Sequence, residues 1–131
     1  QGRIIGGAMI VSVMKKIDSS HQLWKNEWTE EQNRDVFGKC ANRHGHTWKI
    51  QVALVGNVIE STGMVVNFTL ISDEIRKLDH QHLNDFLPLP TAENLVLYLL
   101  EKFKDLRQFS FIRVRVNETE ECYAEEEWRM R

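Results

Sequence analysis

The sequence predicts an α+β fold, an antiparallel sheet with two helices on one face and elements in the order ββααββ. Two observations support this prediction. Segments in which apolar and polar residues alternate, as in half-buried strands, lie in pairs near each end of the chain, and two helical patterns lie between them. With 131 residues, 42% of them hydrophobic, the chain can fill one core, so we expect one domain over residues 1–131.

The first pair of strands is expected at residues 9–17 and 44–55. In the second of these, His46, Trp48 and the apolar residues at every second position after them share one face, while mostly polar residues occupy the other. The intervening residues 24–39 are polar and charged with no clear period. They are expected to form a functional loop or a poorly specified helix.

Both helices are expected in the middle of the chain. Asn67 or Thr69 can cap a first helix over residues 70–78. Thr91 follows a proline and can cap a second helix, whose apolar residues from Leu95 onwards form a single stripe.

The last two strands are expected at residues 110–117 and 121–128. Ile112, Val114 and Val116 alternate with outward-facing residues in the first of them. The segment 124–131, taken alone, would read equally well as a helix. Four strands cannot close on themselves, so the open edges of the sheet favour association with further copies of the chain.

Composition excludes several classes of protein. The net charge of −2 and the pI near 6.2 do not suggest a nucleic-acid or membrane partner, and no apolar run approaches the ~20 residues of a membrane-spanning helix. Two cysteines, one of them close to a histidine pair, suit a reducing compartment, so we expect a cytoplasmic location. Residues 1–8 lack the layout of a signal peptide and are expected to be disordered or to derive from an expression vector.

A pair of histidines predicts a metal site. His44 and His46 lie two residues apart at the start of a strand, so both point to its apolar face, where a buried imidazole needs a partner. His21, at the end of the first strand, is the leading third ligand, and three histidines leave the open fourth position of a catalytic zinc. Cys40 could instead be the fourth ligand of a closed, structural Cys–His site.

Two further groups carry acid–base or binding chemistry. Asp79, beside His80, can orient the imidazole and tune it as an acid or base. Glu118 extends an apolar strand stripe, so its carboxylate should lie at a pocket floor and needs a hydrogen-bond donor, such as a ligand with a guanidine-like edge. His82 is interpreted as a surface histidine and Cys122 as a core or edge thiol.

Six motifs occur in the order and approximate spacing of one known family. They are Cys40-x3-His44-Gly45-His46, Thr62-Gly63-Met64-Val65-Val66, Leu78-Asp79-His80, Leu83-Asn84, Pro90-Thr91-Ala92-Glu93-Asn94 and Glu118-Thr119. Together, over residues 9–128, they resemble the 6-pyruvoyl-tetrahydropterin synthase / 6-carboxy-tetrahydropterin synthase family. The resemblance implies the tunnelling fold (T-fold), in which ββααββ subunits join their sheets into a barrel. It also implies a homohexamer of two trimers, with active sites between subunits.

The resemblance also implies the catalytic residues. Zn2+ would be bound by three histidines, His21, His44 and His46. Cys40 would be the catalytic thiol and not a ligand of the metal. Asp79 and His80 would form a second acid–base unit, donated to the site by a neighbouring subunit.

The implied substrate is a small molecule, 7,8-dihydroneopterin triphosphate. Glu118 would anchor the pterin through its 2-amino and N3–H groups, and Thr91 would lie along the pterin edge. Lys39 and Arg43, on either side of the thiol, are candidate contacts of the triphosphate on grounds of charge and position. In the carboxy-forming branch of the family, carbon–carbon cleavage releases acetaldehyde on the way to the 7-deazaguanine precursors of queuosine.

The sequence motifs do not all favour the same branch of this family. The three-residue gap between Cys40 and His44 resembles the carboxy-forming enzymes of bacteria, whereas the long segment 24–37 resembles the pyruvoyl-forming members, which only eliminate triphosphate. We favour the carboxy-forming branch. Two interpretations outside this enzyme class stay open. One is a non-catalytic pterin- or metal-binding module, in which Cys40 is dispensable, and the second is an interaction protein with a structural Cys–His zinc site.

Overall fold

A four-stranded antiparallel sheet forms the centre of the protein, with the strands side by side in chain order. The computed structural model describes residues 8–106 and 109–129. The strands are β1 (Ala8–His21), β2 (His44–Asn57), β3 (Phe111–Thr119) and β4 (Cys122–Arg129). The predicted α+β class and strand order are confirmed, and the C-terminal segment is a strand and not a helix.

The first strand differs most from its predicted bounds. It continues from Ile17 to His21, because its last residues pair in register with the start of β2, where His21 lies opposite His44. The residues of this extension are polar, so apolar alternation could not predict it. Residues 1–8 were expected to be disordered or vector-derived. Residues 1–7 lie outside the described part of the chain, and Ala8 is the first residue of β1.

Within the described residues, three α-helices accompany the sheet, α1 (Glu30–Phe37), α2 (Phe68–Arg76) and α3 (Ala92–Phe103). The predicted pair corresponds to α2, which packs on β1, and α3, which packs on β3 and β4. Of the two residues predicted as alternatives, Asn67 caps α2, and Thr91 caps α3 as predicted. The Asn67 side chain accepts a hydrogen bond from the backbone N–H of Thr69 at 3.0 Å, and that of Thr91 accepts one from Asn94 at 3.1 Å.

The additional helix, α1, lies in the segment predicted as a loop or poorly specified helix. Its N-terminus has a capping box, in which the Thr29 hydroxyl accepts from the backbone of Gln32 and the Gln32 side chain accepts from the backbone of Thr29. Asn33 is fully buried and stabilises the preceding turn. Its side chain accepts a hydrogen bond from the backbone N–H of Lys25 and donates one to the carbonyl of the same residue. A short 3-10 turn at Gly38–Ala41 follows and carries Cys40.

The core lies between the sheet and helices α2 and α3. Removal of these apolar side chains from water is the main driving force for the two-layer arrangement. Its buried members include Trp48, Ile50, Val52 and Leu54 of β2, Ile112, Val114 and Val116 of β3, Ile71 and Ile75 of α2, and Leu95, Leu99 and Phe103 of α3. In the described residues, no helix has the length and apolar character needed to cross a membrane.

The outer edge of β1 is covered at one end only. The backbone N–H of His80 donates to the carbonyl of Asp18 at 2.7 Å, and that of Ser20 donates to the carbonyl of Gln81 at 2.9 Å. Within the described part of the chain, the rest of this edge, residues 8–17, and the outer edge of β4 have no strand beside them. Such edges are sites of pairing with another chain.

Replacement of Leu99 by alanine tests the inner face of α3. Leu99 is fully buried, so L99A should lower the free energy of unfolding by about 2–5 kcal/mol through lost burial and a cavity. Leu97 on the same helix is 56% exposed, and L97A should change it by no more than about 0.5 kcal/mol. Urea denaturation at one fixed protein concentration measures both, and equal losses would contradict the assigned inner face.

Candidate metal and acid–base site

Three histidine side chains meet where β1 ends and β2 begins. His21 and His44 are opposite each other in the β1–β2 ladder, and His46 lies two residues further on the same face of β2. The Nε2 atoms of His21 and His44 are 2.8 Å apart. One ring nitrogen of each of the three histidines lies within 4.8 Å of the others, a spacing at which they could hold one metal ion.

Backbone carbonyls fix the orientation of two of the rings. The Nδ1 atom of His21 lies 2.7 Å from the carbonyl oxygen of Pro90, and that of His44 lies 2.7 Å from the carbonyl oxygen of Asn42. A carbonyl can only accept, so each Nδ1 carries the ring proton and each neutral Nε2 presents a lone pair. Two lone pairs then face each other at 2.8 Å, an arrangement that a bound cation would stabilise.

The third ring has an unpaired nitrogen. Nε2 of His46 is buried and has no hydrogen-bond partner among the described residues, which is costly for a polar atom. Its nearest charged neighbour is Glu118, whose Oε1 lies 3.8 Å away. Three imidazole nitrogens with converging lone pairs form the donor set of a zinc site that keeps its fourth position open, so the residues present fit this metal.

Glu118 borders the histidine cluster. A bulge interrupts the pairing of β3 with β4 between Asn117 and Thr119, and the carboxylate of Glu118 lies 3.9 Å from Nε2 of His21. Its side chain is 33% exposed, so it lies at the border of the cluster and is reachable from solvent. A carboxylate in this position can accept hydrogen bonds from a ligand that approaches the cluster.

Burial favours the neutral, metal-binding form of His21 and His46. Desolvation lowers the pKa of His21, an effect larger than the opposing hydrogen bond to the Pro90 carbonyl. Desolvation likewise lowers the pKa of His46 against the opposing charge of Glu118. Neutral imidazole is the form that binds a metal ion, so burial of these rings favours metal binding.

Asp79 and His80 form a second unit in the loop that covers the end of β1. Oδ1 of Asp79 accepts a hydrogen bond from the backbone N–H of Asp18 at 2.8 Å and lies 3.1 Å from Nδ1 of His80. The bond from Asp18 is the main cause that lowers the pKa of Asp79. His80 has a positive φ of 56°, and its side chain is 78% exposed. The unit therefore presents its imidazole to the outside of its own chain.

The loop carrying this unit is joined to β1 by side chains as well. The Oγ atom of Ser20 lies 2.9 Å from Nδ1 of His82, and the hydroxyl of Ser19 bonds the carbonyl of Leu78. Asn84 bonds both the N–H and the carbonyl of Gln22. Instead of lying free on the surface, as interpreted from sequence, His82 is half-buried. The end of β1 thus holds His21 and the His80 loop in one fixed arrangement.

The remaining predicted residues lie around this centre. Cys40 is partly exposed in the turn before β2, and its sulfur is not among the atoms that converge with the three histidines. A closed Cys–His site is therefore not formed in this geometry. Thr91 follows Pro90, whose carbonyl orients His21. Cys122 is exposed at the first residue of β4, an edge thiol.

Several contributors to the site carry no sequence signal. The carbonyls of Asn42 and Pro90 act through the backbone, so their residue types do not announce them. Trp48 packs edge-on against the rings of His21 and His46 at 4.9 and 5.3 Å, and its indole N–H donates to the carbonyl of Ser19. Its place on the inward face of β2 could be predicted, but its contact with the cluster could not.

The sequence is similar to those of known proteins over nearly its whole length. A family model described as 6-pyruvoyl tetrahydropterin synthase matches residues 10–128. A 6-pyruvoyl tetrahydrobiopterin synthase of Dictyostelium discoideum is 32% identical over 127 aligned residues, covering 88% of this chain and 93% of that protein. A protein of Archaeoglobus fulgidus, provisionally named 6-carboxy-5,6,7,8-tetrahydropterin synthase, is 35% identical over 91 aligned residues, covering 66% of this chain and 77% of its own.

A solved structure shares the fold. The 6-pyruvoyl tetrahydropterin synthase of Caenorhabditis elegans superposes with a TM-score of 0.73, covering 95% of this chain and 96% of that one. The two sequences are 23% identical in this superposition. The likeness supports the assigned strand and helix arrangement.

The pH dependence of the metal-free protein tests the protonation state of the cluster. Because burial lowers the pKa values of His21 and His46, the unfolded chain binds more protons than the folded chain below the ordinary histidine pKa of about 6.5. The free energy of unfolding should therefore fall as the pH drops through 6.5 towards the folded-state pKa values. NMR titration of the imidazole protons should give midpoints below 6.5 for both residues, and a midpoint above 6.5 would contradict the argument.

Proposed function

This chain belongs to the 6-pyruvoyl tetrahydropterin synthase family, and from that premise we propose that it is a zinc-dependent lyase acting on 7,8-dihydroneopterin triphosphate. The proposed products are 6-carboxy-5,6,7,8-tetrahydropterin, acetaldehyde and triphosphate. One observation carries the zinc site on which this proposal depends. Two histidine Nε2 lone pairs face each other at 2.8 Å, beside a third Nε2 that is buried without a partner among the described residues.

The three histidines would bind the metal, and Cys40 and the Asp79–His80 unit would transfer protons. When bound by His21, His44 and His46, Zn2+ would act as a Lewis acid on the hydroxyl groups of the substrate side chain. Cys40, as thiolate, would remove the proton from the side-chain carbon next to such a hydroxyl. Its partly exposed position, close in sequence to the Asn42 carbonyl that orients His44, supports this role.

The Asp79–His80 unit would return a proton to the substrate as triphosphate leaves. Asp79 is ionised at neutral pH because its pKa is lowered, and its contact with Nδ1 of His80 fixes the ring proton there. In the protonated ring, Nε2 of His80 would carry the proton that is given to the substrate, while Nδ1–H stays with Asp79. The outward direction of this imidazole supports a site completed by two copies of the chain, within the hexamer of two trimers that the open sheet edges would allow.

Glu118 would recognise the pterin ring. The 2-amino and N3–H groups of a pterin form a pair of parallel donors, and a carboxylate accepts such a pair in the manner in which it accepts an arginine. Glu118 is reachable from solvent and 3.8–3.9 Å from the cluster, so a ring anchored there would hold its side chain near the metal ligands. Thr91 would lie along the ring edge, next to the residue that orients His21.

The cell compartment and pathway follow from the same proposal. Both cysteines are free, as expected of a cytoplasmic protein. The carboxylated product would supply the 7-deazaguanine precursors of queuosine. The three-residue gap between Cys40 and His44 supports this branch.

A second candidate is the pyruvoyl-forming reaction, in which triphosphate is eliminated without carbon–carbon cleavage. It is favoured by the Dictyostelium relative of that name, which aligns with 88% of this chain, whereas the relative provisionally named for the carboxy reaction aligns with 66%. Both reactions would use the same residues, so only the product separates them.

Turnover of 7,8-dihydroneopterin triphosphate by the zinc-loaded protein tests the reaction. We expect acetaldehyde and the 6-carboxy product, and a loss of at least about 100-fold in C40A because a general base is removed. C122A, which changes the exposed cysteine outside the site, should retain activity. Chromatography of the pterins and an acetaldehyde assay provide the measurement.

Each other result of this assay has a definite meaning. A pyruvoyl product without acetaldehyde would favour the second candidate. Full activity in C40A would refute the role of the thiol. No turnover by folded, zinc-loaded wild-type protein would refute the enzyme proposal for this substrate and leave a pterin- or metal-binding module.

Metal analysis of histidine variants tests the ligand set. We expect one Zn2+ per wild-type chain after dialysis, and H46A should weaken zinc binding by more than the roughly 10–100-fold that loss of an outer-shell partner costs. His82 lies outside the cluster and bonds Ser20, so H82A is the matched control and should keep its zinc. Equal loss of zinc in both variants would count against the assigned ligands.

A further inference from the structure

The face of the sheet that points away from the helices has a cavity of its own. Side chains alternate along β2, so Thr47 and Lys49 point to the face opposite His46 and Trp48. A cavity of about 350 Å³ lies on this opposite face. It is lined by Lys16, Thr47, Lys49, Asn117, Thr119 and Glu120.

Two lysines lie directly opposite each other in this cavity. Lys16 of β1 and Lys49 of β2 are partners in the strand ladder, and like charges in such positions repel. The ion pairs formed within residues 8–106 and 109–129 include neither lysine. Arg113 and Arg115 on the same face differ, because both lie within ion-pair distance of Glu125. The lysine pair therefore forms no ion pair among the described residues, although the carboxylate of Glu120 lines the same cavity and that of Asp18 is bonded to Thr47.

The next residue in the same row across the sheet is an asparagine with an unsatisfied oxygen. Asn117 is the partner of Lys49 in the β2–β3 ladder and is 7% exposed. Its Nδ2 donates to the carbonyl of Thr119 at 3.4 Å, which sets the orientation of the amide. Its Oδ1 has no hydrogen-bond partner in the described part of the chain, so the cavity wall combines two positive charges with one buried acceptor.

We propose that this cavity binds a phosphate group that retains a proton. The phosphate oxygens accept hydrogen bonds from Lys16 and Lys49, and the phosphate O–H donates to Oδ1 of Asn117. Thr47 and Thr119 line the same space, where the Thr47 hydroxyl donates to the Asp18 carboxylate and the Thr119 hydroxyl accepts from the backbone N–H of Glu121. Glu120 is an exposed carboxylate of the lining and repels a fully ionised anion, which further favours the protonated form.

The chemistry distinguishes phosphate from other anions. At neutral pH inorganic phosphate keeps a proton, whereas sulfate keeps none and offers only acceptors. Sulfate can therefore satisfy the lysines but not Asn117. This site lies on the opposite sheet face from the histidine cluster, and its occupation can be measured without any turnover. Its test is thus independent of the lyase proposal.

Isothermal titration calorimetry with inorganic phosphate and with sulfate, in a buffer containing neither, tests the proposal. We expect saturable binding that is tighter for phosphate than for sulfate. K16Q and K49Q should each weaken the binding of both anions by about tenfold or more, because a charged hydrogen bond is lost. N117A should leave sulfate binding unchanged and reduce the affinity for phosphate to that for sulfate.

Lys15 provides the matched control. It neighbours Lys16 on β1 but its side chain points to the other face of the sheet, so K15Q changes the net charge equally without changing the cavity. It should bind both anions as the wild type does. Parallel titrations with phosphate and phenyl phosphate at about pH 5.5, where a phosphate monoester also retains a proton, identify the source of the group. A free ion and the end of a phosphate ester differ in which of the two probes binds tighter.

Three results would overturn the proposal. They are no saturable binding of phosphate by the folded wild-type protein, equal affinity of the wild type for phosphate and sulfate, and a loss in K15Q as large as that in K16Q. Circular dichroism of each variant confirms that it is folded. If N117A is unfolded, K49Q against K15Q still decides the role of the lysine pair.

Discussion

The structure of the site depends on two ring nitrogens that point at each other. Because the Nδ1 atoms of His21 and His44 are engaged by backbone carbonyls, both Nε2 lone pairs must share the space between them. Neither ring can turn away without losing its carbonyl. This arrangement is held by the end of β1, the start of β2, the turn before β2 and Pro90, two residues before α3. The fold therefore positions the two nitrogens for a cation.

Sequence periodicity predicted the strands and the two core helices because burial dominates those segments. Trp48, Ile50 and their neighbours had to face inward, and they do. The extension of β1 to His21 and the formation of α1 were missed or left undecided, because both depend on hydrogen bonds of polar residues and not on apolar periodicity. The Thr29–Gln32 capping box was the available signal for α1.

For the site, sequence spacing predicted which residues would lie close together, but not their ring tautomers or side-chain directions. His44 and His46 belong to one face of one strand, so their proximity follows from the period of two. The ring tautomers depend on carbonyls from distant segments, and the direction of His80 depends on a positive φ that no residue type announces. On the opposite face, Asn117 is buried beside a bulge that alternation alone does not predict.

Because a loop covers one end of the β1 edge, the two free edges of the sheet differ from each other. One free edge is the long remainder of β1 and the other is the shorter β4, so a contact that pairs them joins unlike surfaces and runs head to tail. Such a chain of copies ends only by closing into a ring, whose size depends on the twist of each sheet. In such an assembly, the loop at residues 79–82, which pairs with the end of β1, would set where an incoming strand must end. A slip by one residue would turn every incoming side chain to the wrong face, so this loop would protect the register of such an assembly.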